Sequence, residues 1–497
     1  MPIINHLFIA VQQAGLFEDC KTFADAIPKN SWDAAERAFL AEKPEQSRDS
    51  LTRFVHQHFV FADSPELQAL PDCHSVTEYI RALWPRLERK ASKGNLGSLL
   101  SLPHDYIVPG GRFNEIYYWD CYFTALGLKD AGCFQQIEDM LDNFLHLIAT
   151  HGHVPNGNRS YYLGRSQPPI MALMIELLWE RRSKEPDWLA ACYSGLRTEY
   201  DFWMAGEGVV SEQLTDFRRV VRMPCGAIMN RYWDDRSGPR PESYREDIEL
   251  ACRIPEERRD SFYLDIRAAC ESGWDFSSRW LDDAGDLASI ATTTRVPVDL
   301  NTFLYLTEMM LLRLGEALNA PEQTEYRVRA QQRKANILKY CWSAEQAWFM
   351  DLDIRDWQHT AAVSLAGVLP MFANIVPEDK ACGMAANLQN RFLKVGGLVT
   401  TLHTTGQQWD SPNGWAPLQW LAVKGLQNYQ HHSLAGLIMR RWLDMVETDF
   451  NLHACLLEKY NVCEPGQLAG GGEYRVQQGF GWTNGITAQF YRLLNEA

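Results

Sequence analysis

The chain has 497 residues, 46% hydrophobic and 22% charged, an ordinary globular composition with room for two to four domains or one large enzyme fold. Its formal net charge of −15, with no local basic cluster, argues against a polyanion; no nucleic acid is expected, and a neutral small molecule fits better. The twelve cysteines, from Cys20 to Cys463, form no C-x-x-C pair and no Cys/His zinc spacing, so they read as reduced, mostly buried thiols, and no metal is expected.

In chain order, the opening MPIINHLFIAVQQAGLFEDC lacks a basic n-region and a small-residue cleavage site, and Asn5, His6, Gln12 and Gln13 interrupt its apolar run. No apolar stretch approaches the ~20 residues that span a bilayer. A cytoplasmic chain with no membrane partner is therefore expected. Residues 1–60 read as a helical N-terminal extension and 61–497 as one domain, since no Pro- or Ser-rich linker divides the chain. The stretch PGGRFNEIYYWDCYF, 109–123, packs two glycines, one arginine, two carboxylates and six aromatic residues together. It reads as a loop running into a helix, with polar groups held among ring faces. A sugar ring, with apolar C–H faces and a rim of hydroxyls, asks for that mixture.

Segments 170–182, 298–320, 325–342 and 427–447 carry apolar residues at three-to-four spacing and predict helices; long alternating strand patterns are hard to find. The fold class is all-α. Polar and aromatic residues concentrate in the Gly/Pro/Asn-rich connections, as in GHVPNGNRSYYLGRSQPP, CESGWDFSSRW, TTGQQWDSPNGWAP and LAGGGEYRVQQGFGWTNG. Paired helices with functional loops gathered at one end give this layout.

Glycoside hydrolysis needs one carboxyl to protonate the leaving oxygen and another to activate water or attack carbon. Asp120, Glu242, Asp275, Asp410, Glu458 and Glu473 all lie in or beside the aromatic-rich segments, and spacing does not say which two face each other. The bland readings stand beside this one. Asp120 or Asp275 alone is a plausible N-cap, Glu458 a solvated helix end, and Arg112, Arg165 and Arg240 structural ion-pair partners.

PGGRFNEIYYWDCY at 109–122 and QWDSPNGWAP at 408–417 resemble the two signature motifs of the trehalases, glycoside hydrolases that cleave α,α-trehalose into two glucoses. PNGNRSYYLGRSQPP, RPESYRED, ESGWDFSSRW, EKY and GGGEY…GFGWTNG follow the family's order, so the resemblance covers roughly residues 60–490. It implies an (α/α)6 barrel, or six-hairpin toroid, with the site at one end. It further implies an inverting reaction with Asp275 as general acid and Glu458 as general base; Glu473 is the alternative base and is assigned to substrate binding. The other sugar-contacting positions it implies are Arg112, Trp119, Asp120, Asn156, Arg165, Ser166, Gln167, Arg240, Glu242 and Gly273, with Phe113, Gln408 and Trp409 lining the same cavity. Trehalose is the implied substrate, no cofactor is needed, and a monomer is expected. The run before the last glutamate, GQLAGGGEY, is shorter in glycine than the family's. The rivals are another (α/α)6 hydrolase of glucoamylase type and a sugar-binding protein without catalysis; the latter is disfavoured because both candidate carboxylates are present.

Overall fold

The computed structural model describes residues 4–61, 73–92, 94 and 97–496. Its N-terminal part contains α1 (His6–Gln13), α2 (Lys21–Ala24), α3 (Trp32–Glu42) and α4 (Arg48–His58). Ser31 and Ser47 cap α3 and α4 with their side chains, satisfying backbone N–H groups that a helix start leaves open. These helices bury a cluster of their own, including Leu7, Phe8, Phe23, Trp32 and Phe54. Tyr117, Tyr161, Tyr162 and Tyr244, from farther along the chain, complete it.

Among the described residues, twelve further helices form two rings. In chain order the hairpins are α5 (Val76–Leu87) with α6 (Tyr118–Asp130), and α7 (Phe134–His151) with α8 (Met171–Arg182). Next comes α9 (Pro186–Trp203), then an insertion carrying a small three-stranded sheet, α10 (Tyr244–Ala251) and α11 (Arg259–Glu271), before the partner α12 (Val298–Leu318). The last three pairs are α13 (Gln323–Asn336) with α14 (Leu369–Phe372), α15 (Glu378–Asn387) with α16 (Ala416–Asn428), and α17 (His432–His453) with α18 (Gly481–Glu496). Helices α6, α8, α12, α14, α16 and α18 pack in succession, and α18 returns to α6, which closes the inner ring of an (α/α)6 barrel.

The sequence explains which helix goes where. In α6 every residue from Tyr118 to Leu128 is buried, as an inner helix surrounded by protein requires. In α7 burial is confined to positions such as Ile137, Met140, Leu141, Phe144 and Ile148, one face of an outer helix. Where α6 meets α18, a Cβ on Gly127 would lie 2.6 Å from the Gly485 Cα, so the ring closes through facing glycines.

The predicted helices at 170–182, 298–320 and 325–342 are observed, the last ending in a π-helical turn at Ile337–Cys341. The single helix expected at 427–447 is corrected to two. Gln430 takes a left-handed φ of 61°, and the His431 N–H turns back to the Leu426 carbonyl at 2.9 Å, ending α16 before α17 begins. Half of the cysteines are buried, fewer than expected, and all twelve are unbridged.

Candidate active site

The loops leading into the inner helices meet at one end of the barrel, around a cavity that is partly open to solvent. Asp275, Glu458, Arg112, Phe113, Trp119, Asp120, Asn156, Arg165, Gln167, Arg240, Glu242, Gly273, Gln408, Trp409 and Glu473 all line it. Ser166 does not. It stands behind the wall, its N–H donating to Glu271 Oε1 at 2.8 Å and its hydroxyl to the Val154 carbonyl at 2.6 Å, which holds the turn that aims Arg165 and Gln167. Asp410 is structural as well. Its carboxylate accepts from the hydroxyls of Ser277 (2.9 Å), Ser278 (2.8 Å) and Thr401 (2.8 Å), clamping the loop after Asp275 to the loop of Gln408 and Trp409.

The aromatic wall is built from tryptophans. Trp409 stacks on Trp415 with centroids 3.8 Å apart and planes 2° off parallel, and Trp482 meets Trp415 edge-on at 5.6 Å. Trp119 stands 5.8 Å from Trp409, and its backbone N–H donates to Gln167 Oε1 at 3.1 Å. Gly273 has a φ of +74°, and a Cβ there would come within 2.9 Å of the Trp119 ring, so glycine lets the Asp275 loop cross the indole.

The arginines serve as ion-pair partners and cavity lining at once. Arg165 reaches Glu242 at 2.6 Å, Asp234 at 3.3 Å and Asn156 Oδ1 at 2.8 Å. Arg240 reaches Asp247 at 2.6 Å and Glu473 Oε1 at 2.7 Å, while Ser243 donates to Glu473 Oε2 at 2.9 Å. Both oxygens of Glu473 are thus engaged. Burial works to raise the Glu242 carboxyl, but Arg165 and Arg240 outweigh it and hold it below its ordinary value.

The remaining carboxyls sit in a different field. Burial pushes Asp275 up to about 7, with Arg240 opposing and Glu473 adding to the rise. Burial likewise lifts Asp120 well above its usual value, and the nearby Glu458 and Asp275 lift it further. Asp120 lies inside the first turn of α6, which has no side-chain cap, so the capping role does not apply to it.

Glu458 is fully enclosed, not a solvated helix end. Its backbone is pinned by the Trp482 indole donating to its carbonyl at 2.9 Å, and by the pairing of Tyr460–Asn461 with Asn413–Gly414. Tyr474 donates its hydroxyl to Glu458 Oε1 at 2.8 Å; Oε2 has no hydrogen-bond partner among the described residues, and Lys459 Nζ lies 3.9 Å from it. Burial raises this carboxyl, with Lys459 and the Tyr474 bond pulling the other way.

Several lining residues escaped the reading of the sequence: Tyr162, Ser243, Trp415, Tyr474, Trp482 and Lys21. The first five lie within quoted motifs, where spacing does not reveal which side chains turn inward. Lys21 had no motif to mark it.

A closed double ring of helices around an aromatic, carboxyl-bearing cavity defines the class as an (α/α)6 glycoside hydrolase. Among solved structures the chain is similar to the neutral trehalase Nth1 from Saccharomyces cerevisiae, with a TM-score of 0.65 and 27% identity over 79% of this chain and 74% of that one. It shares the fold of the GH63 mannosylglycerate hydrolase from Thermus thermophilus, with a TM-score of 0.54 and 18% identity over 84% of this chain and 100% of that one. Residues 15–495 match the trehalase family model. The periplasmic trehalase of Escherichia coli (strain K12 / DH10B) is 43% identical over 495 residues, 99% of this chain and 87% of that protein. The chain belongs to the trehalase family.

The expected cytoplasmic location is corrected by these relatives, which are named periplasmic trehalases and point to the periplasm. The composition of the first twenty residues is too weak a signal to set against them.

Proposed function

We propose that this chain hydrolyses α,α-trehalose to two glucoses by a single displacement with inversion, Asp275 acting as general acid and Glu458 as general base. The carrying observation is the contrast between the two candidate bases: both Glu473 oxygens are taken by Arg240 and Ser243, whereas Glu458 keeps Oε2 without a hydrogen-bond partner among the described residues, with Lys459 Nζ 3.9 Å away. A free, buried carboxylate oxygen can hold and orient a water. The rise of Asp275 to about 7 leaves it a proton to give near neutrality.

In the reaction, water attacks the anomeric carbon from the β face and its proton passes to Glu458. The Asp275 proton goes to the glycosidic oxygen as that C–O bond breaks. The Arg112, Arg165 and Arg240 forks donate to sugar hydroxyls, and Trp119, Trp409 and Phe113 cover the apolar faces. Residues 1–60 act as an extension packed on a catalytic unit of 61–497, and the protein works as a monomer; of the junction, residues 62–72 lie outside the described residues. The acid and base stand ~6.5–9.5 Å apart with substrate bound, leaving room for the water.

Proton NMR of the anomeric signals in the first minutes tests this. Equal α- and β-glucose are expected, because only one anomeric bond breaks; α-glucose alone would mean retention and overturn the mechanism. Glu458→Gln should lose ~10²–10⁴-fold in kcat. A near-normal Glu458→Gln beside an inactive Glu473→Gln would move the base to Glu473.

A further inference from the structure

The N-terminal segment, in which the sequence marks no site residue, reaches the cavity. Lys21 lines it, and its Nζ pairs with Glu115 at 2.9 Å and with Asp25. Arg159 joins the same group, 2.6 Å from Glu115 and 3.3 Å from Asp25. This buried network welds α2 to the loop that carries Arg112. Arg245 fastens the preceding turn, donating to the carbonyls of Phe17 at 3.1 Å and Glu18 at 2.9 Å.

Between these anchors stands Asp19. Its Oδ1 accepts from the Thr22 N–H at 2.8 Å and the Thr22 hydroxyl at 2.9 Å, which fixes the carboxylate plane at the start of α2. The other oxygen, Oδ2, lies 3.4 Å from Arg112 Nη2. Asp19 is the carboxylate paired with Arg112 among the described residues, and the Arg112 Nε has no partner there. The guanidinium rests 4.9 Å from the centroid of Tyr474, the residue bonded to Glu458. Burial favours the neutral Asp19, yet Arg112 and the Thr22 bonds together hold its carboxyl below the ordinary value, so it is charged at neutral pH.

We infer that Asp19 is a positioning residue of the sugar site: it holds the Arg112 fork at the angle that meets substrate hydroxyls, and so makes the N-terminal segment part of substrate binding. A planar donor fork discriminates by angle, so losing the partner that sets its angle weakens binding before it affects bond breaking. The inference rests on the trehalose-hydrolysing reading above.

Asp19→Asn is a fitting variant, because its retained Oδ1 still caps α2 while an NH2 group replaces the oxygen facing Arg112. With trehalose as substrate, KM should rise about tenfold, the scale of one charge-assisted contact, with kcat little changed and the melting temperature kept. In an Arg112→Lys background the same substitution should add little, since the two residues act through one contact. Glu18→Gln, changing the exposed neighbouring charge, should leave KM as in wild type. An unaltered KM in folded Asp19→Asn, or full additivity with Arg112→Lys, overturns the inference. Wild-type protein that releases no glucose from trehalose would instead overturn the functional reading on which it rests.

Discussion

Replacing Tyr474 by Phe removes one oxygen atom and leaves the ring in place against Arg112 at 4.9 Å and Phe113 at 5.4 Å. What is lost is the 2.8 Å hydrogen bond from the phenol to Glu458 Oε1. A donor to a carboxylate stabilises its charged form, so the loss raises the Glu458 pKa beyond the rise that burial already imposes. A hydrogen bond to a charged group is worth ~1.5–3 kcal/mol, and one pKa unit corresponds to about 1.4 kcal/mol. The acid limb of kcat/KM should therefore move to higher pH by about 1–2 units, because a base must be deprotonated to act. Below that limb, activity should fall by ~10–100-fold, with a smaller loss at the optimum. The assay is glucose release across a pH series, with circular dichroism at each pH to show that the variant is folded. An acid limb that stays in place in folded Tyr474→Phe would refute the reasoning: either this bond does not govern Glu458, or Glu458 is not the group whose ionisation limits the rate.

The alkaline limb tests Asp275. Its carboxyl, raised to about 7 by burial, must carry its proton to act as an acid, so kcat/KM should decline as pH rises through about 7, and a plateau well beyond that would reassign the limb. Gly273→Ala should be costly both to stability and to activity. A non-glycine residue at a φ of +74° carries ~1–3 kcal/mol of strain, and the added methyl meets Trp119 at 2.9 Å; wild-type melting and kcat/KM in this variant would show that the loop relaxes freely.

Much of the fold was legible along the chain because helix burial is written at 3.6-residue period. The mixture of rings, carboxylates and arginines marked the cavity because those groups do not otherwise gather in glycine-rich connections. Residues such as Arg112, Trp119, Asp275 and Glu458 were recognisable as a set, since a motif preserves residue type and order. The same order concealed the break at Gln430, where one residue with positive φ turns a continuous periodic pattern into two helices.

Direction, partnership and field were decided only in three dimensions. Ser166 and Gln167 are sequence neighbours, yet one faces away from the cavity and the other lines it, because the Val154 and Glu271 bonds orient the turn. Glu458 and Glu473 are both motif glutamates, and they differ because Arg240 and Ser243 hydrogen-bond both oxygens of one while Tyr474 hydrogen-bonds a single oxygen of the other. Lys21 and Asp19 lie about ninety residues before the loop they brace, a separation no local pattern spans. Residue chemistry is a property of the chain, whereas burial, charge and aim come from the neighbours that folding supplies.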